Sequence, residues 1–163
     1  MAKSATPIRF LLLLGLMLPV ACAGTRTSPE PVAVPEFLVG SFTDDYGSRY
    51  TISRLEWAQF PDTRYRIVRW DVLGQFALAQ NDVANPANGG LWTRIDWLQL
   101  PGMPPYEWAY CYSAYKAISL AVAETVSVAR RATPRTGCNG FPFSRMRRIG
   151  TDTTPAVRST RGN

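Results

Sequence analysis

The sequence predicts an α+β fold: an antiparallel β-meander or partial barrel of about six strands, with one covering helix and one disulfide. Three observations indicate this fold. Segments rich in β-branched and aromatic residues alternate with turn residues between positions 37 and 100. A segment without glycine or proline follows at 113–131, with apolar residues at helical spacing. Two cysteines, Cys111 and Cys138, flank that segment.

Five predicted strands precede the helix, and each ends at residues that favour turns. The strands cover, in chain order, residues 37–43, 48–57, 64–73, 75–80 and 91–100. The residues that end them are Asp44-Asp45-Tyr46-Gly47, Pro61-Asp62, Gly74, the loop 81–90 and Pro101. A last short strand is expected within 137–149, which completes a globular domain over 37–150.

The covering helix is predicted from the alanine-rich segment 113–131. Its apolar stripe, at spacings of three and four, consists of Tyr115, Ile118, Val122, Thr125 and Ala129. Such a stripe packs against a sheet, and Thr133-Pro134 would end the helix.

Cys111 and Cys138 are predicted to form a disulfide that fastens this helix to the sheet. One cysteine lies just before the predicted helix and the other just after it. Closing a loop of roughly 28 residues is worth about 3.6 kcal/mol in the chain-entropy model. Two unpaired buried thiols are the alternative.

The first 21 residues have the layout of a secretory signal peptide. Lys3 and Arg9 precede the apolar run FLLLLGLML, and the small residues Ala21 and Ala23 follow it. A membrane-spanning helix would need about 20 apolar residues. Pro19 interrupts the run well before that length is reached.

The stretch Leu18-Pro19-Val20-Ala21-Cys22 resembles the lipobox of bacterial lipoproteins. The resemblance implies that the chain is cut before Cys22, whose sulfur receives a diacylglycerol. The cysteine count agrees, because pairing of Cys111 with Cys138 leaves Cys22 for the lipid. Pro19 departs from the family pattern, and ordinary secretion without a lipid is the alternative.

Residues 22–36 hold three prolines and little that can pack, so they are predicted to form a lipid-anchored tether. Ala23, in place of an aspartate, resembles the pattern of lipoproteins sent to an outer membrane. We therefore expect an exported protein held at the outer membrane or the periplasmic face of the envelope.

Positive charge is concentrated at the C-terminal end. The chain has a formal net charge of +6, and residues 130–163 contain eight arginines against Asp152 alone. Residues 151–163 are predicted to be a basic disordered tail. A membrane surface or an acidic glycan is the expected partner of this charge. Nucleic acid is not expected, because no recognition motif accompanies the arginines.

The chain contains no histidine, which excludes serine–histidine triads and most zinc sites. No phosphate-binding glycine loop or metal cluster is present in the sequence, so no cofactor or metal is expected. The carboxylates that could act as an acid–base pair are Asp44, Asp45, Asp71 and Asp96. Asp44 and Asp45 precede Tyr46-Gly47 and are expected to cap that turn. We expect no enzymatic activity, with a carboxylate-based hydrolase as the less favoured alternative.

The stretch GLWTRIDW is the candidate ligand-binding segment. Alternate residues of a strand share a face, so Leu91, Thr93, Ile95 and Trp97 are predicted to face the core. Trp92, Arg94 and Asp96 would lie on the opposite face, where an aromatic ring beside an ion pair suits a sugar or another polar ligand. A cross-strand ion pair beside a surface tryptophan is the structural alternative.

Two resemblances bear on function. Gly40-Ser41-Phe42 is similar to the Gly-x-Trp entry of lipocalins, which implies a carrier of a small apolar ligand. The stretches DDYGSRYTIS, LAQND, GLWTRIDW, CYSAYKA and GCNGFPFSRM resemble small exported bacterial domains, from which no activity carries over. We expect a non-catalytic envelope lipoprotein with a β-rich domain that binds a glycan, a small apolar ligand or a protein, or that is structural.

Overall fold

Eight antiparallel strands form a closed barrel, and they follow each other around it in chain order. The computed structural model describes residues 34–150. The predictions for the signal peptide, for Cys22 and for the tail 151–163 lie outside the described residues. The strands are β1 Gly40–Asp44, β2 Arg49–Ile52, β3 Glu56–Gln59, β4 Thr63–Asp71, β5 Phe76–Asn81, β6 Trp92–Gln99, β7 Trp108–Ala117 and β8 Ser144–Arg148. A 3-10 helix, η1 (Glu36–Leu38), precedes β1, and a short α-helix, α1 (Leu120–Thr125), follows β7.

The barrel closes because β1 pairs with strands on both sides. Phe42 lies opposite Tyr50 of β2 and opposite Arg148 of β8. Since consecutive strands are antiparallel neighbours, the turns alternate between the two ends of the barrel. The entry rim is the end where the chain enters β1 and leaves β8. It also holds the turns 53–55, 72–75 and 100–107. The far rim holds the turns 45–48, 60–62 and 82–91. The long connection 118–143 leaves β7 and joins β8 at the far rim, and between these points it covers part of the outer face of the barrel.

The prediction of an antiparallel β-rich fold is confirmed, but the prediction of about six strands is wrong. The predicted strand 48–57 is a hairpin formed by β2 and β3. Ser53 makes its turn without glycine or proline, because its Oγ accepts hydrogen bonds from two backbone N–H groups. These donors belong to Leu55 (3.2 Å) and Glu56 (3.0 Å).

The predicted helix 113–131 is also wrong in extent, because its first residues belong to β7. Ser119 caps the observed helix α1, with its Oγ accepting from the backbone N–H of Val122 at 3.2 Å. Ala123 of α1 is buried against Ala114 and Ala117 of β7. The alanines therefore allow a helix to approach the outer face of the barrel closely. Within residues 34–150, no helix has the length and apolar character to cross a bilayer.

Aromatic side chains fill the barrel. Phe42, Tyr50, Trp57 and Trp108 are all fully buried, and Trp57 meets Trp108 edge to face with 5.7 Å between ring centroids. The same interior cluster contains Leu38, Ile52, Tyr65, Ile67, Trp70, Ala77, Ala79, Ile95, Trp97, Tyr110 and Met146. An eight-stranded barrel is only wide enough for its side chains or for one small ligand. Here the side chains occupy that space.

Three buried indole N–H groups in this interior have no hydrogen-bond acceptor among residues 34–150. They belong to Trp57, Trp97 and Trp108. Each of these rings makes an edge-to-face contact with another ring, as between Phe42 and Trp108 at 5.2 Å. The positive edge of one ring then lies on the negative face of the next, an arrangement that also suits a weak N–H···π contact.

Residues before β1 close the barrel at the entry rim. Val34 and Leu38 are buried in the interior cluster, and Phe37 lies edge-on to Trp97 at 5.6 Å between ring centroids. The packed structure thus includes Val34, which lies before the boundary of 37 that the sequence predicts.

Arg148, the last residue of β8, holds this closing segment in place. Its guanidinium donates hydrogen bonds to the carbonyl oxygens of Val39 (2.8 Å) and Phe37 (3.2 Å). Gly40 leaves the room for it, since a Cβ atom at that position would lie 2.2 Å from Nη1 of Arg148. The φ angle of Gly40 is 139°, which also favours glycine.

The predicted disulfide is confirmed. Cys111 and Cys138 are bonded, with 5.5 Å between their Cα atoms. Cys111 lies within β7 rather than before a helix, and Cys138 lies in the connection between α1 and β8. The bond therefore fastens that connection to the outer face of β7, whereas the sequence predicts a link between helix and sheet.

Reduction of this disulfide is expected to lower the free energy of unfolding by about 3–4 kcal/mol, because it opens a loop of roughly 28 residues in the unfolded chain. Urea unfolding with and without a thiol reductant measures the difference. The Cys111→Ala/Cys138→Ala double variant is the matched control, since it should unfold at the lower midpoint under both conditions. Equal midpoints for the oxidised and reduced protein would contradict the expectation.

Candidate functional site

The outer face of β6 carries a buried ion network. Asp96 is 0% exposed, and its carboxylate accepts hydrogen bonds from two arginines. Arg94 donates from Nε to Oδ2 at 2.8 Å and from Nη2 to Oδ1 at 3.1 Å. Arg131 donates from Nη2 to Oδ1 at 2.6 Å. The pairing of Arg94 with both carboxylate oxygens is the strongest form of such an interaction.

Both arginines extend the network into the segments that cover the sheet. Arg94 donates to the carbonyl oxygen of Glu124 in α1 at 2.6 Å, and its guanidinium lies 3.8 Å from the ring centroid of Phe76. Arg131 donates to the carbonyl oxygen of Trp97 at 2.9 Å and to two carbonyl oxygens of the turn 72–75. The network thereby fastens α1 and the chain after it to the barrel.

The structure confirms that alternate residues of β6 face opposite sides, but it corrects the expected exposure. Ile95 and Trp97 lie in the interior cluster, as the alternation predicts. The sequence predicts that the ion pair of Arg94 and Asp96 lies on the surface. That prediction is wrong, because both residues are buried beneath the covering segments. Trp92 is partly buried beside α1. Ligand binding by Trp92, Arg94 and Asp96 stays a prediction. The contacts of these residues in the structure are structural, because they join the covering segments to the sheet.

Tyrosine hydroxyls form a second polar cluster inside the barrel, near the far rim. The Tyr50 hydroxyl donates to Oδ2 of Asp44 at 2.8 Å and lies 2.7 Å from the Tyr110 hydroxyl, which then donates to it. The half-buried Tyr112 donates to Oε1 of Gln59 at 3.3 Å. Burial raises the pKa of Tyr110 to about 12, and it also raises the pKa of Tyr50. Both hydroxyls are therefore protonated donors at neutral pH.

Each of the four candidate carboxylates accepts hydrogen bonds from backbone or arginine N–H groups of the protein itself. Asp44 caps its turn as expected, with Oδ1 accepting from the backbone N–H groups of residues 46 (2.9 Å) and 48 (2.8 Å). Asp71 accepts from the backbone N–H of Gly74 at 2.7 Å. Among residues 34–150, Asp45 accepts from Arg145 rather than from its own turn, with 3.1 Å from Oδ2 to both Nε and the backbone N of Arg145. Across residues 34–150, no three cysteine or carboxylate side chains converge as a metal site would require.

A groove of about 520 Å³ lies outside the barrel, between the strands β7 and β8 and the connection that follows α1. Its lining is mainly apolar and includes Leu100, Met103, Ala109, Pro134, Pro142 and Phe143. Leu100, Ala109 and Phe143 are buried together with Cys111, so the disulfide supports the floor of the groove. The volume is within the range that small-molecule sites occupy.

Charged and aromatic side chains border the groove. Arg145 pairs with Asp45 and lies over the ring of Tyr106, with 4.3 Å from its guanidinium carbon to the ring centroid. Arg135 is exposed at the edge, and Tyr46 projects from the turn 45–48. The groove thus offers an apolar floor, two guanidinium groups and an exposed ring to a ligand.

Sequence patterns do not predict this groove. Its lining comes from two turns, two strands and the connection 118–143, which approach each other only after the barrel closes. The local sequence feature that points to the groove is the segment GCNGFPFSRM, where a proline, two phenylalanines and an arginine follow a disulfide cysteine.

Comparison of the chain with protein-family models, with curated proteins and with solved structures found no match.

Proposed function

We propose that this chain is a non-catalytic lipoprotein of the cell envelope, and that its barrel presents a ligand-binding groove on its outer face. The observation that carries the proposal is the filled interior. Trp57, Trp108, Tyr50 and Phe42 occupy the centre of the barrel, so the space for a ligand lies in the groove along β7 and β8. The barrel itself is then a rigid scaffold.

The disulfide supports the assignment to an exported compartment. Cys111 and Cys138 are bonded to each other, and disulfides persist in oxidising compartments such as the periplasm. Cys22, the remaining cysteine of the chain, is then available for the lipid that the lipobox resemblance implies. The anchor would hold the barrel at a membrane surface through the predicted tether 22–36.

The lining of the groove favours a small apolar ligand with an anionic group. The floor is apolar, while Arg135 and Arg145 supply positive charge at its edge. Guanidinium groups pair well with carboxylates and phosphates. An envelope glycan or a protein segment is the alternative occupant, and nucleic acid is not proposed.

A lipocalin-like carrier is the second candidate function, because the barrel is closed and has eight strands. Such a carrier holds its ligand inside the barrel. The interior aromatic rings of this chain would have to move apart to admit one. We rank the outer groove above the interior for that reason.

Lipid attachment is tested by the Cys22→Ser variant. The native protein is expected in the membrane fraction, and the variant is expected in the soluble fraction, because the substitution removes the thioether that carries the diacylglycerol. Mass analysis of the N-terminal peptide gives the direct measurement. An unmodified N-terminus downstream of Cys22 would overturn the lipoprotein assignment, with secretion as the remaining route.

Binding in the groove is tested with oleate and the anionic apolar dye anilinonaphthalene sulfonate. The Arg135→Glu variant is expected to bind both about tenfold more weakly, since it replaces an attractive charge with a repulsive one. Lys116→Glu is the matched control, because Lys116 is exposed but does not line the groove. Binding that neither substitution weakens would indicate the barrel interior and favour the carrier. No binding of either probe would refute the proposed ligand class.

A further inference from the structure

The outer surface of the barrel is covered on one side. Within residues 34–150, α1 and the chain after it pack against outward side chains of β5, β6 and β7. The open face is the surface that the outward side chains of β1–β4 and of the end of β8 form on the other side. These side chains are Ser41, Thr43, Arg49, Thr51, Glu56, Ala58, Arg64, Arg66, Val68, Arg69, Arg147 and Ile149. Arginine is thus the most frequent residue of the open face.

A pocket of about 190 Å³ lies on the open face between β1 and β2. Ser41 and Thr51, which lie opposite each other on these strands, contribute hydroxyl groups to its lining. Arg49, Phe60 and Ile149 also line it. The volume equals that of roughly six water molecules, so the pocket suits a single sugar ring rather than a long acyl chain.

Backbone pairing places an aromatic ring and two arginines in one row beside this pocket. Thr43 lies opposite Arg147 of β8 on one side and opposite Arg49 of β2 on the other. The backbone N–H of Phe60 donates to the carbonyl oxygen of Arg49 at 2.8 Å, which continues the row. Neighbouring strands lie about 4.8 Å apart, so the backbones of Arg147 and Arg49 are separated by roughly 10 Å. Phe60 is 49% exposed, and its ring is therefore accessible at the end of the row opposite Arg147.

The carboxylates on and around the open face leave the charge of Arg147 available. Two of them are held in ion pairs, Glu56 with Arg64 and Asp45 with Arg145. Two exposed ones, Glu36 and Asp62, lie in the segments before β1 and after Phe60, and neither lines the pocket. Arg147 itself is exposed and forms no ion pair with another residue of 34–150.

We propose that this pocket binds an acidic sugar residue of a polysaccharide, at a site separate from the outer groove. The C–H side of the sugar ring packs on Phe60, the hydroxyl groups of Ser41 and Thr51 bond to those of the sugar, and the sugar carboxylate pairs with Arg147. Guanidinium matches the geometry of a carboxylate, and an aromatic ring with a few polar groups is a common lining for small ligands. This chemistry depends neither on a lipid at Cys22 nor on a ligand in the groove.

The proposal is tested by calorimetric titration of the full-length protein with trigalacturonate, which carries a carboxylate on each sugar ring. The neutral galactotriose of the same linkage is the matched probe. Trigalacturonate is expected to bind about tenfold more tightly, because only its carboxylate pairs with Arg147.

Two substitutions separate the contacts. Arg147→Glu is expected to weaken trigalacturonate binding about tenfold and to leave galactotriose binding unchanged, since it alters only the charge contact. Phe60→Ala is expected to weaken both probes about fivefold, because both share the C–H side of the ring. Arg66→Glu is the matched control, since it reverses an exposed charge of the open face that does not line the pocket. Urea unfolding midpoints close to that of the wild type verify that the variants fold.

Equal effects of Arg147→Glu and Arg66→Glu would overturn the proposal, because general attraction to a basic surface would then explain the binding. Trigalacturonate binding that Arg135→Glu abolishes and Arg147→Glu does not would also overturn it, and would place the sugar in the outer groove. Tighter binding of oligothymidylate than of trigalacturonate would make single-stranded nucleic acid the occupant instead. If neither sugar binds, the pocket is no sugar site, while the tests of the groove and of Cys22 are unaffected.

Discussion

Replacing Asp96 by asparagine is expected to lower the free energy of unfolding by about 3–5 kcal/mol, the typical cost of removing one partner from a buried ion network. The Asp96 carboxylate is fully buried and accepts from three guanidinium nitrogens of Arg94 and Arg131. Asparagine has nearly the same shape, so the substitution leaves packing in place. It removes the negative charge and leaves two arginines without their carboxylate. Urea unfolding, followed by tryptophan fluorescence, measures the loss.

The Asp45→Asn variant is the matched control. Asp45 pairs with Arg145 at the surface, and exposed ion pairs typically contribute less than about 1 kcal/mol. The difference between the two variants therefore isolates the effect of burial. Added salt should weaken the surface pair more than the buried network, because ions screen exposed charges first. A cost below about 1 kcal/mol for Asp96→Asn would show that the network does not stabilise the covering segments.

The faces of β6 could be predicted from sequence, whereas the burial of its outer face could not. Strict alternation assigns Ile95 and Trp97 to the interior, and the structure agrees. The covering of Arg94 and Asp96 depends on Arg131, which lies 35 residues further along the chain from Asp96. Local periodicity contains no information about a contact of that separation. Such contacts follow from the closure of the barrel and the path of the connection 118–143.

Local features at two positions explain why the sequence predicts fewer strands than the structure has. The turn 53–55 depends on the hydroxyl of Ser53, which is a weaker turn signal than glycine or proline. In β7, alanine indicates helix by its intrinsic propensity. The structure uses Ala114 and Ala117 instead as small outward residues beneath α1. Packing against a neighbouring element overrides propensity in such strands.

The disulfide could be predicted because the number of cysteines restricts the possible pairs without any knowledge of the fold. Three cysteines, one of them in the predicted lipobox, leave few pairings. The outer groove could not be predicted in the same way, because its apolar floor combines Leu100, Ala109 and Phe143 from separate parts of the chain. The candidate ligand site therefore depends on the closed barrel rather than on a sequence motif.

The Trp97→Ala variant is expected to lose about 3–5 kcal/mol of unfolding free energy, the typical cost of emptying a large aromatic site in a core. Trp97 is 3% exposed and lies inside the barrel near the entry rim. Its ring contacts Phe37 of the closing segment edge to face. Removal of the indole would leave a cavity beneath η1, so the segment that closes the barrel would lose its support. Urea unfolding followed by circular dichroism measures the loss independently of tryptophan fluorescence.

Trp92→Ala is the matched control, because it removes the same side chain from the opposite face of the same strand. Trp92 is only partly buried beside α1, so its loss should cost about 1–2 kcal/mol. Trp97→Phe should fall between the wild type and Trp97→Ala, since the smaller ring keeps part of the contact with Phe37. A larger cost for Trp92→Ala than for Trp97→Ala would mean that β6 presents its other face to the interior. A shift of one residue in its pairing with β5 and β7 would produce that reversal, because side chains alternate with a period of two.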